Sequence, residues 1–321
     1  MIIRIYLMKS IKYIAISSAL LIYAIAAGAQ TADEALQFSR IVRDPAIGAM
    51  GGAGVASTAN IAYASFTNAS VIPFSQKKFD AGLSFQSWAP DGTKSTNINF
   101  GASTKLGEKF ALTAGFVMQN ADQVDLNDDD GNPDGTYKPK DMQLNFGLAY
   151  KFTDKLGAGA TFKYLSQDNA PGSKLSTPAF DVFLLYKVSD FNVAAGISTF
   201  GGSVKDEEDK SFDIPSSATI GGNWNKTFNT KQNIEVSMDA DYFFSGNFTA
   251  AFGAQYTYKD LLSVRAGYHY GSDDCVLPAY ATIGCGVRHQ FGKTGLGFDV
   301  AYIIGSETLQ NTLTAGINLF F

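Results

Sequence analysis

The last ten residues, Thr312 to Phe321, alternate without a break. Leu313, Ala315, Ile317, Leu319 and Phe321 fall on one side, and Thr312, Thr314, Gly316 and Asn318 on the other. Successive side chains of an extended chain point to opposite faces, so this run predicts a strand with one apolar and one polar surface. Soluble sandwich edge strands share that alternation. What sets this one apart is that the chain stops on an aromatic residue.

The same parity recurs along the chain. Apolar residues at every second position begin at Phe79, Ile98, Phe110, Met142, Leu156, Phe180, Phe191, Ala218, Ile234, Phe248, Leu262, Ala279 and Leu296, and the terminal run brings the strands to fourteen. The opposite parity carries Asn97, Asn99, Gln143, Asn145, Thr161, Lys163, Asp239, Asp241, Arg265 and Asp299. A charge facing mid-bilayer costs about 2–4 kcal/mol, so these residues belong inside a closed barrel and the apolar set outside it. Every second connector is tight, as at Gly107-Glu108, Thr153–Lys155, Ser189-Asp190, Lys259-Asp260 and Gly292–Thr294, whereas long ones fall near 120–140, 167–177 and 200–216. Short inner turns alternating with longer outer loops, and an even strand count, fit a transmembrane barrel with both ends on one side. The predicted fold class is therefore all-β, an outer-membrane β-barrel of about fourteen antiparallel strands.

Composition closes off the alternatives. Only 17% of residues are charged, the net charge is -5, and the 25 Lys and Arg form no basic footprint, which argues against nucleic acid. Past the N-terminus no run of about 20 apolar residues exists, so a helical multispan protein is excluded. At the N-terminus Lys9 and Lys12 precede an apolar stretch from Tyr13 to Ala26 and then Ala27-Gly28-Ala29, which reads as a secretory signal peptide over 1–29, cleaved before Gln30.

Residues 30–78 show no sustained alternation and are too rich in small residues to build a core of their own. Glycines gather on the inward parity of the strands at Gly101, Gly115, Gly147, Gly157, Gly159, Gly196, Gly267 and Gly297. Glycine in a strand marks close approach of other backbone, so these positions predict space for an N-terminal hatch over 30–78, with the barrel over 79–321.

The run Met50-Gly51-Gly52-Ala53-Gly54-Val55-Ala56, then Ala62-Tyr-Ala-Ser-Phe-Thr-Asn-Ala69, resembles the N-terminal signature of the PorV/PorQ family, itself similar to FadL-type barrels. Ser87-Trp88-Ala89-Pro90, Phe200-Gly201-Gly202 and Ile214-Pro215 fit the same family, whereas Asn68-Ala69-Ser70 stands where the family usually has Asn-Pro-Ala. The terminal strand resembles the closing strand of outer-membrane barrels, whose final Phe, here Phe321, is read by the barrel-assembly machinery. The resemblance implies a fourteen-stranded barrel in the cell outer membrane, with Met50, Gly51, Gly52 and Gly54 in the hatch. It further implies a binding and scaffold role in which secretion-system components of the type IX kind and exported proteins are the partners. The alternative is FadL-like passage of small hydrophobic molecules. A transporter needs an apolar pocket beneath the outer loops and a kinked hatch, and a shuttle needs a sealed lumen.

Catalytic chemistry is scarce. His269 and His289 are the only histidines, and no G-x-S-x-G, H-E-x-x-H or P-loop occurs. His269 is placed on the lumen side near Asp273 and Asp274, His289 on the lipid side, and no enzymatic role or cofactor is expected. One loop carries a metal-like pattern: Asp130, Asn132, Asp134 and Gly135 match the opening of a calcium loop, with Asp141 at the twelfth position in place of Glu. Surface Ca2+ binding by Asp130, Asn132, Asp134 and Asp141 is the expectation weighed against a solvated acidic loop. Cys275 and Cys285, ten residues apart on one extended segment, would lie roughly 30 Å apart and form no disulfide.

Overall fold

The computed structural model describes residues 34–88, 95–128, 131–171, 173–206, 209–229, 231–271, 277–305 and 311–321. The signal peptide, Ala89-Pro90, Asp130, Asp273, Asp274 and Cys275 lie outside the described residues. The wall begins with β1 (Phe79–Trp88), β2 (Ser95–Leu106) and β3 (Phe110–Ala121). A hairpin of β4 (Val124–Asn127) and β5 (Pro133–Tyr137) follows. The wall resumes with β6 (Lys140–Lys151), β7 (Leu156–Asp168), β8 (Lys174–Val188) and β9 (Phe191–Gly201), and a second hairpin is made by β10 (Val204–Lys205) and β11 (Ser211–Phe212). It ends with β12 (Ser217–Asn229), β13 (Gln232–Phe243), β14 (Phe248–Tyr258), β15 (Leu262–Gly271), β16 (Tyr280–Phe291), β17 (Thr294–Ile304) and β18 (Thr312–Phe320).

Fourteen of these strands form one closed antiparallel barrel, each paired with its sequence neighbour in the wall and β18 returning to β1. Both hairpins lie in long connectors at the end of the barrel opposite the tight turns. The tight turns use left-handed backbone, with φ of 75° at Gly107 and, less usually for residues with a Cβ, 55° and 53° at Lys259 and Asp260. Closure is completed at the last residue. Phe321 O accepts from Lys78 N (2.7 Å) and Phe79 N (2.9 Å), and the Phe79 and Phe321 rings stack at 5.1 Å.

Burial is inverted relative to a soluble protein. Phe146 and Met238 point outward with 59% and 60% exposure, whereas inward Asn97, Asn99 and Asn145 have none. A wall whose apolar side chains face out and whose amides are sealed inside is stable only with hydrocarbon around it, because each outward ring would otherwise meet water. The one free cysteine among the described residues, Cys285, sits exposed on that outer face.

What fills the inside is the segment 34–78. It enters at the outer end, where Glu34 bridges Asp213 and Leu36 N donates to Gln167 Oε1 at 3.3 Å, and it leaves at the inner end beside Phe321. Along the way it forms only short helical turns, Gln37–Arg40, Pro45–Gly48, Ala64–Phe66 and Ala69–Phe74. So little regular structure leaves many backbone groups in need of partners.

Candidate functional site

The inward polar parity supplies those partners. Ser84 Oγ donates to Arg43 O (2.8 Å), Ser103 Oγ to Ile61 O (2.6 Å), Asn145 Nδ2 to Ser65 O (2.7 Å), Asn192 Nδ2 to Ala56 O (3.2 Å) and Thr282 Oγ1 to Ala49 O (2.9 Å). Hatch N–H groups are taken up in the same way. Asp239 Oδ2 accepts from Gly54 N (2.6 Å) and Val55 N (2.9 Å), and Glu235 Oε1 accepts from the Ser57 hydroxyl (2.5 Å).

Met50, Gly51, Gly52 and Gly54 sit at the centre of this contact. Gly51 has φ +71°, and a Cβ there would lie 2.6 Å from Tyr268 O. Opposite it, a Cβ on Gly267 would lie 2.6 Å from Met50 O, so hatch and wall backbone touch with no side chain between them. Five of the eight wall glycines noted in the sequence meet the hatch: Gly101, Gly115, Gly157, Gly159 and Gly267. The other three do not. Gly147 makes room for Thr113 and Thr161, Gly196 for Phe183, and Gly297 for Asn318 and Arg288, so they relieve crowding between side chains of adjacent strands. Asn68, where the sequence departs from Asn-Pro-Ala, caps the turn Ala69–Phe74: its Oδ1 accepts from Ser70 N (2.8 Å) and its Nδ2 donates to Val55 O (2.8 Å).

Two buried charges of the hatch escape sequence reasoning. Burial pulls the Arg43 guanidinium down to about 9, with Asp141 opposing the shift. Burial also pushes the Asp44 carboxyl up to about 6, although it accepts from Ala46 N at 2.8 Å and Asn60 Nδ2 at 2.7 Å. The wall adds a buried ion pair of Lys163 with Asp181 (2.7 Å) and another of Arg265 with Asp299 (2.7 Å). The Lys163 pair sits where β9 bulges. Two residues, Ser198 and Thr199, oppose Asp181 there, Thr199 has φ 51°, and its N–H donates to Asp181 Oδ1 at 2.7 Å.

The hatch does not fill the lumen. In the outer half a cavity of about 160 Å³ lies against β7–β9 and β12–β16, walled by Phe183, Phe243, Tyr280, Lys163, Asp241 and His269 among others. At the inner end a vestibule of about 770 Å³ is lined by polar groups including Lys187, Asn225, Glu235, Gln255, Thr257 and Arg288. Gly52 and Val55 border the outer cavity and Thr58 the vestibule, so one stretch of hatch, Gly52–Ser57, divides them. Beneath the outer loops a separate apolar cluster is filled by the chain's own Leu36, Phe38 and Ile41 packed on Leu165, Ile214, Leu277 and Ile303.

Of the residues read as a calcium loop, Asp130 lies outside the described residues, and Asp134 and Asp141 point apart. Asp134 lies exposed on β5 and Asp141 is buried on the lumen side of β6, while Asn132 N donates to Asp128 Oδ1 (2.7 Å) in the turn. Among the described residues no three His, Cys, Asp or Glu side chains stand together as metal ligands. His269 lies in the lumen, stacked on Tyr280 at 4.6 Å, and His289 is on the outer face against Phe291.

No protein-family model matches the chain, and no curated protein does. Solved structures do. The toluene transporter TodX of Pseudomonas putida is 15% identical, with 85% of this chain and 96% of that chain covered and a TM-score of 0.57. The monoaromatic hydrocarbon channel CymD is 14% identical over 86% of this chain and 96% of its own, with a TM-score of 0.61. A FadL homologue of Pseudomonas aeruginosa is 12% identical over 85% and 97%, with a TM-score of 0.52. At these identities the likeness is one of fold: the chain shares the barrel architecture of these solved structures.

Proposed function

We propose that the protein is an outer-membrane channel for small molecules, of the FadL-like kind. The observation that carries this reading is the division of the lumen. An outer cavity and an inner vestibule lie on the same side of the barrel, and the hatch passes between them at Gly52–Ser57. That stretch is held by hydrogen bonds to Asp239, Glu235, Asn68 and Asn192, and Val55 and Ala56 pack in an apolar cluster with Phe183 and Ala194, so opening the route means giving up a short, defined set of contacts. The fold shared with proteins described as transporters and channels of monoaromatic hydrocarbons supports the same reading.

The secretion-scaffold role implied by the PorV/PorQ resemblance becomes the second reading. It rests on the exposed hairpin of β4 and β5, which offers surface for a protein partner. Reconstitution separates the two. Vesicles carrying the folded barrel should take up small monoaromatic solutes faster than empty vesicles while still excluding folded proteins. Uptake no faster than in empty vesicles would remove the channel reading.

A further inference from the structure

The chemistry of the outer cavity says more than that something passes. We infer that this cavity is a binding site for a single-ring molecule carrying a hydroxyl group, a phenol and not a plain hydrocarbon, an acyl chain or an anion. The inference rests on the channel reading and names its solute.

Size comes first. At about 160 Å³ the space matches cavities of about 150 Å³ that take up benzene, and it is too small for a lipid acyl chain. The aromatic residues Phe183, Phe243 and Tyr280 line it.

Polarity decides the substituent. The Lys163 ammonium spends two of its three protons, on Asp181 (2.7 Å) and on Thr199 Oγ1 (3.3 Å). Asp241 accepts from the Thr219 hydroxyl at 2.5 Å and, weakly, from the Thr249 hydroxyl at 3.5 Å, which leaves acceptor capacity. His269 lines the same space and is 8% exposed, with the Gly51 and Leu277 backbone beside it. A hydrocarbon would displace water from all of these groups and replace none of its hydrogen bonds, which is costly. An anion would meet Asp239 and Asp241, and a cation would meet Lys163 and Arg40. A neutral hydroxyl both donates and accepts, and so satisfies the mixed set.

The test uses the full-length barrel purified in detergent, with saturable binding of phenol, toluene and benzoate read by ligand-observed NMR. Phenol should bind at least about 5-fold tighter than toluene, the worth of one net hydrogen bond. Benzoate should not compete. Thr219→Phe, which fills the cavity, should abolish saturable phenol binding, and Ala251→Leu serves the same purpose should Thr219→Phe fail to give a heat-modifiable barrel. Toluene binding as tightly as phenol, or phenol binding retained by the folded filled variant, overturns the inference. Vesicle uptake keeps the two readings apart. Uptake without saturable binding removes the site and leaves the channel, and saturable binding without uptake does the reverse.

Discussion

The two sides of the lumen are built from the same alternating strands and end up unlike. On the side of β2, β3, β6 and β7 the inward parity carries Gly101, Gly115, Gly157 and Gly159, and the hatch turns Ala64–Phe66 and Ala69–Phe74 lie directly on them. Ile61, Ala64, Ala69 and Ile72 pack there into an apolar cluster with Ala111 and Ala149, which runs on through Val55 and Ala56 to Phe183 and Ala194. On the side of β9 and β12–β14 the inward parity mixes Asn, Asp, Glu, Gln and Thr with Gly221 and Gly253, which lie against Val55 and Met50 of the hatch, and both cavities open there. On the first side the wall glycines let two hatch turns lie directly on the strands. On the second, long polar side chains such as Asp241, Glu235 and Gln255 line the cavities and hold space for solvent and solute.

The comparison breaks most readily at the sealed side. A Cβ on Gly159 would stand 2.8 Å from the Ala69 carbonyl carbon, so Gly159→Leu should cost about 1–3 kcal/mol or prevent folding. Lys187→Ala in the vestibule should stay within about 0.5 kcal/mol. Urea unfolding in micelles reads both, and equal costs would dissolve the distinction. Next in size is Asp239→Ala. It strips two buried hatch N–H groups of their acceptor and should weaken the local packing of Gly52–Ser57 by about 1–3 kcal/mol. Faster hydrogen exchange there, with raised single-channel conductance, is the expected outcome. Asn68→Ala should loosen the turn Ala69–Phe74 and, by freeing Val55 O, raise conductance less than Asp239→Ala does.

Acidity acts on the hatch in a definite direction. Burial, then Asp299, raise the Asp44 carboxyl to about 6, against the opposing pull of the Ala46 N–H, Arg265 and Arg288. The packed hatch therefore holds that proton more tightly than a released hatch does. Its contribution is complete below about pH 4 and is lost as the pH rises through about 6. Conductance events should grow more frequent across that interval, and Asp44→Asn should flatten the rise; a rise that Asp44→Asn leaves unchanged removes Asp44 from the hatch equilibrium. The smallest effect belongs to Ser57→Ala, which removes one hydroxyl bond to Glu235 and should shift hatch exchange by about 0.5–1.5 kcal/mol.

The wall was legible because alternation is a local property. Each of the fourteen strands, and the tight turns at Gly107 and Lys259, can be written from neighbouring residues alone. The glycine parity also reveals that something lies inside. Which glycines meet the hatch is not local. Gly147 and Gly196 share the parity of Gly159, yet they face Thr161 and Phe183, because strand register decides which side chain leans over them. The clamp of Asp239 on Gly54 spans 185 residues, and Asp239 reads in sequence as one lumen carboxylate among several. The calcium pattern meets the same rule. Spacing that suits a loop places Asp141 on a strand, where parity turns it into the lumen away from Asp134.

Two disulfide staples test the division of the lumen most directly, in a background with Cys275 and Cys285 changed to Ser. Val55→Cys with Gly221→Cys joins the hatch to the open side, where a Cβ on Gly221 would touch the Val55 side chain. Ser65→Cys with Gly115→Cys joins it to the sealed side, where a Cβ on Gly115 would touch Ser65. Monoaromatic uptake into vesicles should stop when the first staple is oxidised, return on reduction, and continue at the unstapled rate with the second. Uptake that survives the first staple, or that only the second one blocks, would contradict a route past Gly52–Ser57.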